Sequence, residues 1–315
     1  MSLKVSEYPK MVPFCVEEGS CNLACPKCPV HGDHPLHDKI QGKMPFDQAV
    51  KLFDELEGKD LTVTPSGVTE PLIQKNFFEY VSELNKRNIK ITMNSNGFLI
   101  NEKMANKLVN DYEIASIFIS IDAMSSETLL KTRATKKIEK VNQAVFNLLE
   151  ARGDKSSPRI GVSFTKEPAN LHEEKAFIDY WIQHVDAVRV NELYILDGGE
   201  GIQENRPPCP VLYDTLFIGP NGNARLCCLD VFDDTSVGNV LKTSVKDVWH
   251  GEKLNQIRKF HEAGEFHKVD FCKNCKDWPR YDFAKEYEEN NILIRKSKLL
   301  TYYNRMDRLD SWKNR

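Results

Sequence analysis

The chain has 315 residues, 41% hydrophobic and 28% charged, the balance of a soluble globular protein long enough to bury a full core and divide into two domains. A formal net charge of −3 argues against nucleic acid or another polyanion as partner, and no apolar run approaches the length of a membrane span. The N-terminal residues lack the apolar segment of a secretory signal, so the nine cysteines point to a reducing, cytoplasmic compartment where thiols serve metals.

Short apolar runs alternate with amphipathic stretches through the first two thirds, the pattern of βα units. Strands are predicted at Pro13–Val16, Asp60–Thr64, Ile89–Met93, Ser116–Ile121, Arg159–Phe164 and Asp186–Val190. Helices are predicted between them at Pro45–Glu57, Gln74–Lys86, Asn101–Asn110, Ile138–Ala151 and Glu173–His184. Six strands with crossover helices favour a parallel sheet in an α/β fold. Farther on, Leu216–Ile218 and Ala224–Cys227 flank the turn Gly219-Pro220-Asn221-Gly222, a β-hairpin, and a helix is predicted over Val245–His261. From Asn291, apolar residues mixed with basic ones read as an amphipathic helix packed back on the protein. The expected division is a core domain over 1–200, a small α+β domain over 201–283 and a helical extension over 284–315.

The cysteines mark the same division. Cys15, Cys21, Cys25 and Cys28 lie at the start and Cys209, Cys227, Cys228, Cys272 and Cys275 in the last third, with none between. Cys21, Cys25 and Cys28 offer three thiolates within eight residues, ligands that select iron-sulfur clusters or zinc. Three ligands leave one iron of a cubane open, the mark of a reactive site. A partial zinc knuckle or three core cysteines is the alternative. The spacing resembles the CxxxCxxC motif of the radical S-adenosylmethionine (SAM) superfamily. That resemblance implies a partial (β/α)6 TIM-like barrel, with a doubly wound sheet as the alternative. It also implies a 4Fe-4S cluster whose open iron is chelated by the amino and carboxylate groups of SAM. An electron from a flavodoxin- or ferredoxin-type reductant then releases a 5′-deoxyadenosyl radical that abstracts hydrogen.

Further segments match the family in order. Gly67-Val68-Thr69-Glu70-Pro71 is similar to its GGEP motif, with Thr69 where a second Gly is common, and the resemblance implies that this loop holds the SAM amino group. By itself such a loop is as readily a turn. Asn94-Ser95-Asn96-Gly97 resembles the TNG element, or an Asn-Gly turn. Ser120 and Asp122, two residues apart on one side of a strand, match the S-x-D segment that in relatives reaches the SAM ribose or carboxylate. Arg133 matches an arginine that contacts the SAM carboxylate, and Ser163, Asn170 and Asn191 occupy places where relatives bind SAM. Cys15 reads as core. His31, His34 and His37 fall in a Gly-, Asp- and Pro-rich loop to which no metal is assigned.

Cys209, Cys227 and the pair Cys272-x2-Cys275 could hold zinc. Together with the N-terminal triplet they resemble the SPASM domain in its shorter twitch form, which implies one auxiliary 4Fe-4S cluster and two clusters in all. Adjacent strand residues face opposite ways, so one of Cys227 and Cys228 reaches the cluster, and the family pattern selects Cys227. Cys228 then packs or points at the active site. The layout is similar to that of the twitch-type aminocyclitol dehydrogenases. This implies two-electron oxidation of an alcohol on a small polar substrate (a sugar, aminocyclitol or similar), with the auxiliary cluster as electron acceptor. Arg189 and Glu192, at the end of the sixth strand, are the candidates to take the hydroxyl proton, Glu192 facing away if the strand is regular. The alternatives are a peptide-modifying radical SAM enzyme, a sugar epimerase or dehydratase that uses Cys228 or Cys15 as hydrogen donor, and a zinc-stabilised binding module.

Overall fold

Five consecutive residues, Ile160–Phe164, are buried in one strand, as expected of a parallel sheet covered on both faces. The computed structural model describes residues 3–32, 42–65, 67–194 and 205–309. Its strands are β1 (Met11–Pro13), β2 (Glu17–Glu18), β3 (Gly42–Lys43), β4 (Thr62–Thr64), β5 (Lys90–Ser95), β6 (Ser116–Ser120), β7 (Arg159–Lys166) and β8 (Ala187–Glu192). The last third adds β9 (Phe217–Ile218), β10 (Asn223–Arg225), β11 (Gly238–Asn239), β12 (Lys285–Glu289), β13 (Ile292–Lys296) and β14 (Leu300–Arg305). Nine of them form one sheet in the order β1-β4-β5-β6-β7-β8-β14-β13-β12. Its first six strands are parallel and make the partial (β/α)6 barrel.

The crossover helices are α1 (Phe46–Leu56), α2 (Phe77–Lys86), α3 (Glu102–Asn106), α4 (Ser126–Arg133), α5 (Ile138–Arg152) and α6 (Glu174–Trp181). Ala49, Leu52, Phe53 and Leu56 of α1 are buried, and the Phe53 ring meets Phe14 edge-on at 5.3 Å. The helix expected to Asn110 ends as α3 and continues in a π-helical turn over Lys107–Asp111. Ser126-Glu127, which the sequence also allows as an ordinary helix start, opens α4, and the N-cap Ser125 accepts from the Thr128 amide. In the small domain β9, β10 and β11 form an antiparallel sheet. Around it lie α7 (Val211–Asp214), α8 (Val245–Trp249), α9 (Glu252–Glu262) and α10 (Asp270–Lys273). The single helix expected over 245–261 breaks at Gly251, which is extended and caps α9.

Both edges of the barrel sheet are covered. Beyond β1 the chain leaves β4 for the small domain: the Cys15 amide donates to the Ile218 carbonyl, and Met11 and Phe14 bridge Thr215 and Ile218. This crossing is why β1 ends before the predicted Val16. At the other edge β14 pairs antiparallel with β8. The expected helical extension over 284–315 is therefore corrected: its described part is three antiparallel strands. Asn290 and Asn291, at φ 49° and 63°, make the two-residue turn between β12 and β13, and Ile292-Leu293-Ile294 favours the strand over a helix. The outermost strand, Lys-Glu-Tyr-Glu-Glu, is exposed throughout, and its charges blunt a free edge. The expected domain boundary near 200 lies outside the described residues, as do Ser66, His34 and His37.

Candidate active site

The Cys21–Cys28 loop leaves β2 and is held by its own backbone. The Cys28 amide donates to the Cys25 carbonyl and the Gly32 amide to the Cys28 carbonyl. A Cβ on Gly32 would lie 2.7 and 2.8 Å from those same carbonyl oxygens, so glycine is required there. Lys27, inside the cysteine motif, places its ammonium 2.6 Å from Asp122 Oδ2 and 2.7 Å from Glu167 Oε1. Arg133 Nη2 reaches the same Asp122 oxygen at 2.6 Å, and the Thr165 amide donates to Asp122 Oδ1 at 2.6 Å. Burial pushes the Asp122 carboxyl up, but the Arg133 and Lys27 charges outweigh it and hold the group below the usual carboxylate range.

That geometry corrects the expectation for Asp122. The strand ends at Ser120, and Asp122 has φ +66°, so the alternation that would align the two residues is broken. Ser120 lines the cavity described below, whereas the Asp122 side chain is fully buried and spent on Lys27 and Arg133. Asn170 is likewise buried, its amide donating to the carbonyls of Asp122 and Thr165 in a structural turn.

Glu70 follows β4. Its Oε1 accepts from Ser95 Oγ at 2.7 Å and its Oε2 from the Asn96 amide at 2.8 Å. Burial pushes the Glu70 carboxyl up, with those hydrogen bonds opposing it. Asn96 Nδ2 in turn donates to Asn22 Oδ1 at 2.7 Å, with Cys21 Sγ at 3.8 Å, so the Glu70 loop, the Asn96 loop and the cysteine loop form one unit. Thr69 Oγ1 accepts from the Ser20 amide at 3.3 Å. At Gly67 a Cβ would fall 2.5 Å from Cys15 Sγ, so glycine lets this loop close over the buried thiol.

One cavity of about 570 Å³ opens at the C-terminal ends of the barrel strands and collects most of the predicted residues. Cys21, Cys25, Cys28, Gly67, Thr69, Glu70, Asn96, Ser120, Arg133 and Ser163 line it, and so do Arg189, Asn191, Cys227 and Cys228. Arg189 Nη2 donates to Asn94 Oδ1 at 2.8 Å, and its guanidinium lies 4.9 Å from the centre of the Phe118 ring. Glu192 does not reach the cavity; its carboxylate pairs with Lys166 at 2.6 Å, as a regular strand requires. Sequence reasoning missed several lining groups. Lys27 and Asp230 line the wall, and so does Tyr194, over whose ring the Arg280 guanidinium lies at 3.9 Å. Also missed was the pair formed by Arg225 and Glu18, two hydrogen bonds of 2.8 Å across 207 residues.

Of the second cysteine group, Cys227 and Cys228 border the same space. Cys227 has Cys228, Cys209 and Cys272 as electrostatic neighbours, and Cys209 has Cys272 and Cys275. Cys228 instead faces Asp277, Arg280 and Tyr281, with its sulfur 3.9 Å from the Tyr281 hydroxyl. The argument from strand alternation does not apply, because β10 ends at Arg225; the different neighbours separate the two thiols all the same. The Cys209 amide donates to His261 Nδ1 at 3.3 Å, and Arg206 Nη1 donates to the Cys272 carbonyl at 2.8 Å. Burial pushes the Cys209 and Cys272 thiols up to about 12, a cost that coordinated metal reverses by stabilising thiolate.

The donor sets fit the groups the motifs imply. Three thiols border the cavity beside Arg133, whose Nε is buried without a hydrogen-bond partner and can serve an anionic group such as a carboxylate. The small domain supplies Cys209, Cys227, Cys272 and Cys275, in number the usual cysteine complement of a cubane cluster, although among the described residues no three Cys, His, Asp or Glu side chains come together closely enough to hold a single metal ion.

Comparison with known proteins agrees. The model of the radical SAM superfamily matches residues 19–165, and that of SPASM, an iron-sulfur cluster-binding domain, matches 209–276. The chain is 30% identical over 95 residues to the S-adenosyl-L-methionine-dependent 2-deoxy-scyllo-inosamine dehydrogenase of Niallia circulans, covering 30% of this chain and 38% of that protein. It is 26% identical over 181 residues to the tungsten-containing aldehyde ferredoxin oxidoreductase cofactor-modifying protein of Pyrococcus furiosus, covering 55% and 49%. The chain thus matches less than half the length of either relative. Among solved structures, BtrN in complex with AdoMet and 2-DOIA superposes with a TM-score of 0.58 at 19% identity, covering 87% of this chain and 97% of that one. The structure of anSMEcpe with AdoMet and a Cp18Cys peptide gives 0.63 at 16%, covering 84% and 87%. At such identities these two likenesses concern the fold. Among the described residues no helix is long and apolar enough to cross a membrane.

Proposed function

We propose that this chain, which carries radical SAM and SPASM domains, is an enzyme that oxidises a secondary alcohol on a small polar substrate, with two 4Fe-4S clusters. The observation that carries the reading is the single cavity lined by Cys21, Cys25 and Cys28 and also by Cys227 and Cys228. A substrate held there touches both thiol groups' surroundings, which suits removal of a hydrogen atom on one side and an electron on the other. Partial similarity to the inosamine dehydrogenase supports the same chemistry.

When bound, SAM and the reduced cluster supply a hydrogen-abstracting 5′-deoxyadenosyl radical. Cys21, Cys25 and Cys28 hold the first cluster, and Cys209, Cys227, Cys272 and Cys275 the second. Glu70 fixes the Asn96 backbone, Ser120 and Ser163 present hydroxyls to the SAM side, and Arg133 offers its free Nε–H to the carboxylate of SAM. Arg189 is the candidate at the substrate hydroxyl, where a fixed guanidinium stabilises negative charge as the proton leaves. Glu192, which pairs with Lys166 and does not line the cavity, is the weaker candidate for that role. In balance, the carbinol carbon would lose a hydrogen atom and the hydroxyl its proton, to solvent past Arg189; Cys209, Cys227, Cys272 and Cys275 would hold the group able to accept the remaining electron, and a ketone would be left.

Anaerobically reconstituted protein should hold about eight irons per chain, and Cys21, Cys25 and Cys28 replaced together by Ala should remove about half. With SAM, reductant and a candidate aminocyclitol or sugar, 5′-deoxyadenosine should form alongside product lighter by two hydrogens. If the triple variant still yields 5′-deoxyadenosine, the assignment fails. Product isomeric with substrate, of unchanged mass in ordinary water and carrying one solvent deuterium at carbon in heavy water, would instead make the enzyme an epimerase, with Cys228 as donor.

A further inference from the structure

The ion cluster around Asp122 adjoins the N-terminal cysteine loop, and its anions Asp122 and Glu167 do not line the cavity. Two cations and two anions meet there: Lys27, Arg133, Asp122 and Glu167, with side-chain exposures of 11%, 13%, 0% and 12%. Lys27 stands between Cys25 and Cys28 in the chain. Arg133 Nη1 lies 4.0 Å from Cys25 Sγ, and the same sulfur lies 4.0 Å from the Arg133 carbonyl oxygen. Both cations are aimed by one carboxylate oxygen, Asp122 Oδ2, at 2.6 Å each. The carboxylate is itself fixed by the Thr165 amide and by an unusual left-handed backbone. So rigid a device exceeds what a loop tether needs, because Lys27 already has Glu167 at 2.7 Å.

We propose that Asp122 is a positioning residue that tunes the electron affinity of the Cys21-Cys25-Cys28 site by fixing Lys27 and Arg133 beside it and balancing their charge. This rests on the reading that those cysteines hold a 4Fe-4S cluster. Cluster potentials follow net charge, solvent exposure and hydrogen bonds to sulfur. In a buried setting a nearby cation favours the reduced cluster and a nearby anion disfavours it. Asp122→Asn therefore raises the potential, since two cations remain against Glu167 alone. Glu167→Gln shifts it the same way, and Lys27→Met shifts it the opposite way.

The test is an EPR-monitored redox titration of reconstituted protein holding both clusters, with the N-terminal signal identified by its change on adding SAM. At fixed solution potential the reduced-to-oxidised ratio of that cluster should rise about tenfold in Asp122→Asn, equivalent to about 59 mV for a one-electron couple. It should fall in Lys27→Met, while the auxiliary cluster stays where it was. Should Asp122→Asn fail to fold, Glu167→Gln and Lys27→Met must still move in opposite directions. Unmoved potentials, or shifts of one sign in all variants, overturn the proposal and reduce the ion cluster to scaffolding. A wild-type protein without any SAM-responsive cluster overturns the parent reading and this one with it.

Discussion

Arg225 and Glu18 give the sharpest stability prediction. Their side chains are 10% and 4% exposed, and the guanidinium meets both carboxylate oxygens at 2.8 Å, with Asp233 at 3.5 Å from Nε. Arg225→Met strips Glu18 of both hydrogen bonds from the guanidinium and leaves its charge in the cavity wall. Removing one member of a buried pair costs about 3–5 kcal/mol, whereas replacing both with apolar groups of similar size is often neutral. Total stabilities are about 5–15 kcal/mol, so the single change should consume a large share. The double variant Glu18→Leu/Arg225→Met should recover most of the loss. Because the partners come from β2 and β10, the loss should fall on the seam between barrel and small domain. Denaturant unfolding of the anaerobic, cluster-loaded protein, arranged as a double-mutant cycle, measures it. A loss below about 1 kcal/mol for Arg225→Met, or a double variant no better than the single, would refute the reasoning, since breaking a buried pair should cost more than that.

Two further outcomes follow from the packing. Burial pushes the Glu173 carboxyl up, but hydrogen bonds from the Met124 amide, Ser125 and Thr128 outweigh it and hold the group low. Its contribution is therefore complete above the unfolded carboxylate range, about pH 4.3, and lost as pH falls through the lower folded value. Glu173→Gln should flatten the acid side of the stability curve, and an unchanged acid slope would exclude this account. Ile294 is buried at the centre of β13, so Ile294→Asp places a charge in the sheet and should loosen β13 and β14 from β8. Faster hydrogen exchange at the amides of Ala187–Asn191 is the expected readout, and unchanged protection there would count against the edge-covering role.

The parallel strands were legible because burial on both faces writes itself as unbroken apolar runs such as Ile117-Phe118-Ile119. Cysteine spacing carried the cluster motifs, since ligand geometry constrains sequence locally. Asp122 was misread because one left-handed residue cancels the alternation rule, and nothing in Ser120-Ile121-Asp122 announces it. Lys27 was invisible as a functional residue because its partners lie 95 and 140 positions away. The C-terminal strands were readable in principle. Asn290-Asn291 between β-favouring runs is a hairpin signal, but Leu299, Leu300, Tyr302 and Tyr303 among basic residues also fit a helix face.

The two covered edges of the barrel sheet bear on how the chain emerges during synthesis. Residues 11–192 supply all six parallel strands, yet the groups that shield β1 and β8 come from 215–218 and 300–305. Until those segments leave the ribosome, the nascent barrel presents unpaired backbone on both flanks, the condition under which chains pair with one another rather than with themselves. A fragment stopped near residue 192 should accordingly aggregate even though it contains every parallel strand.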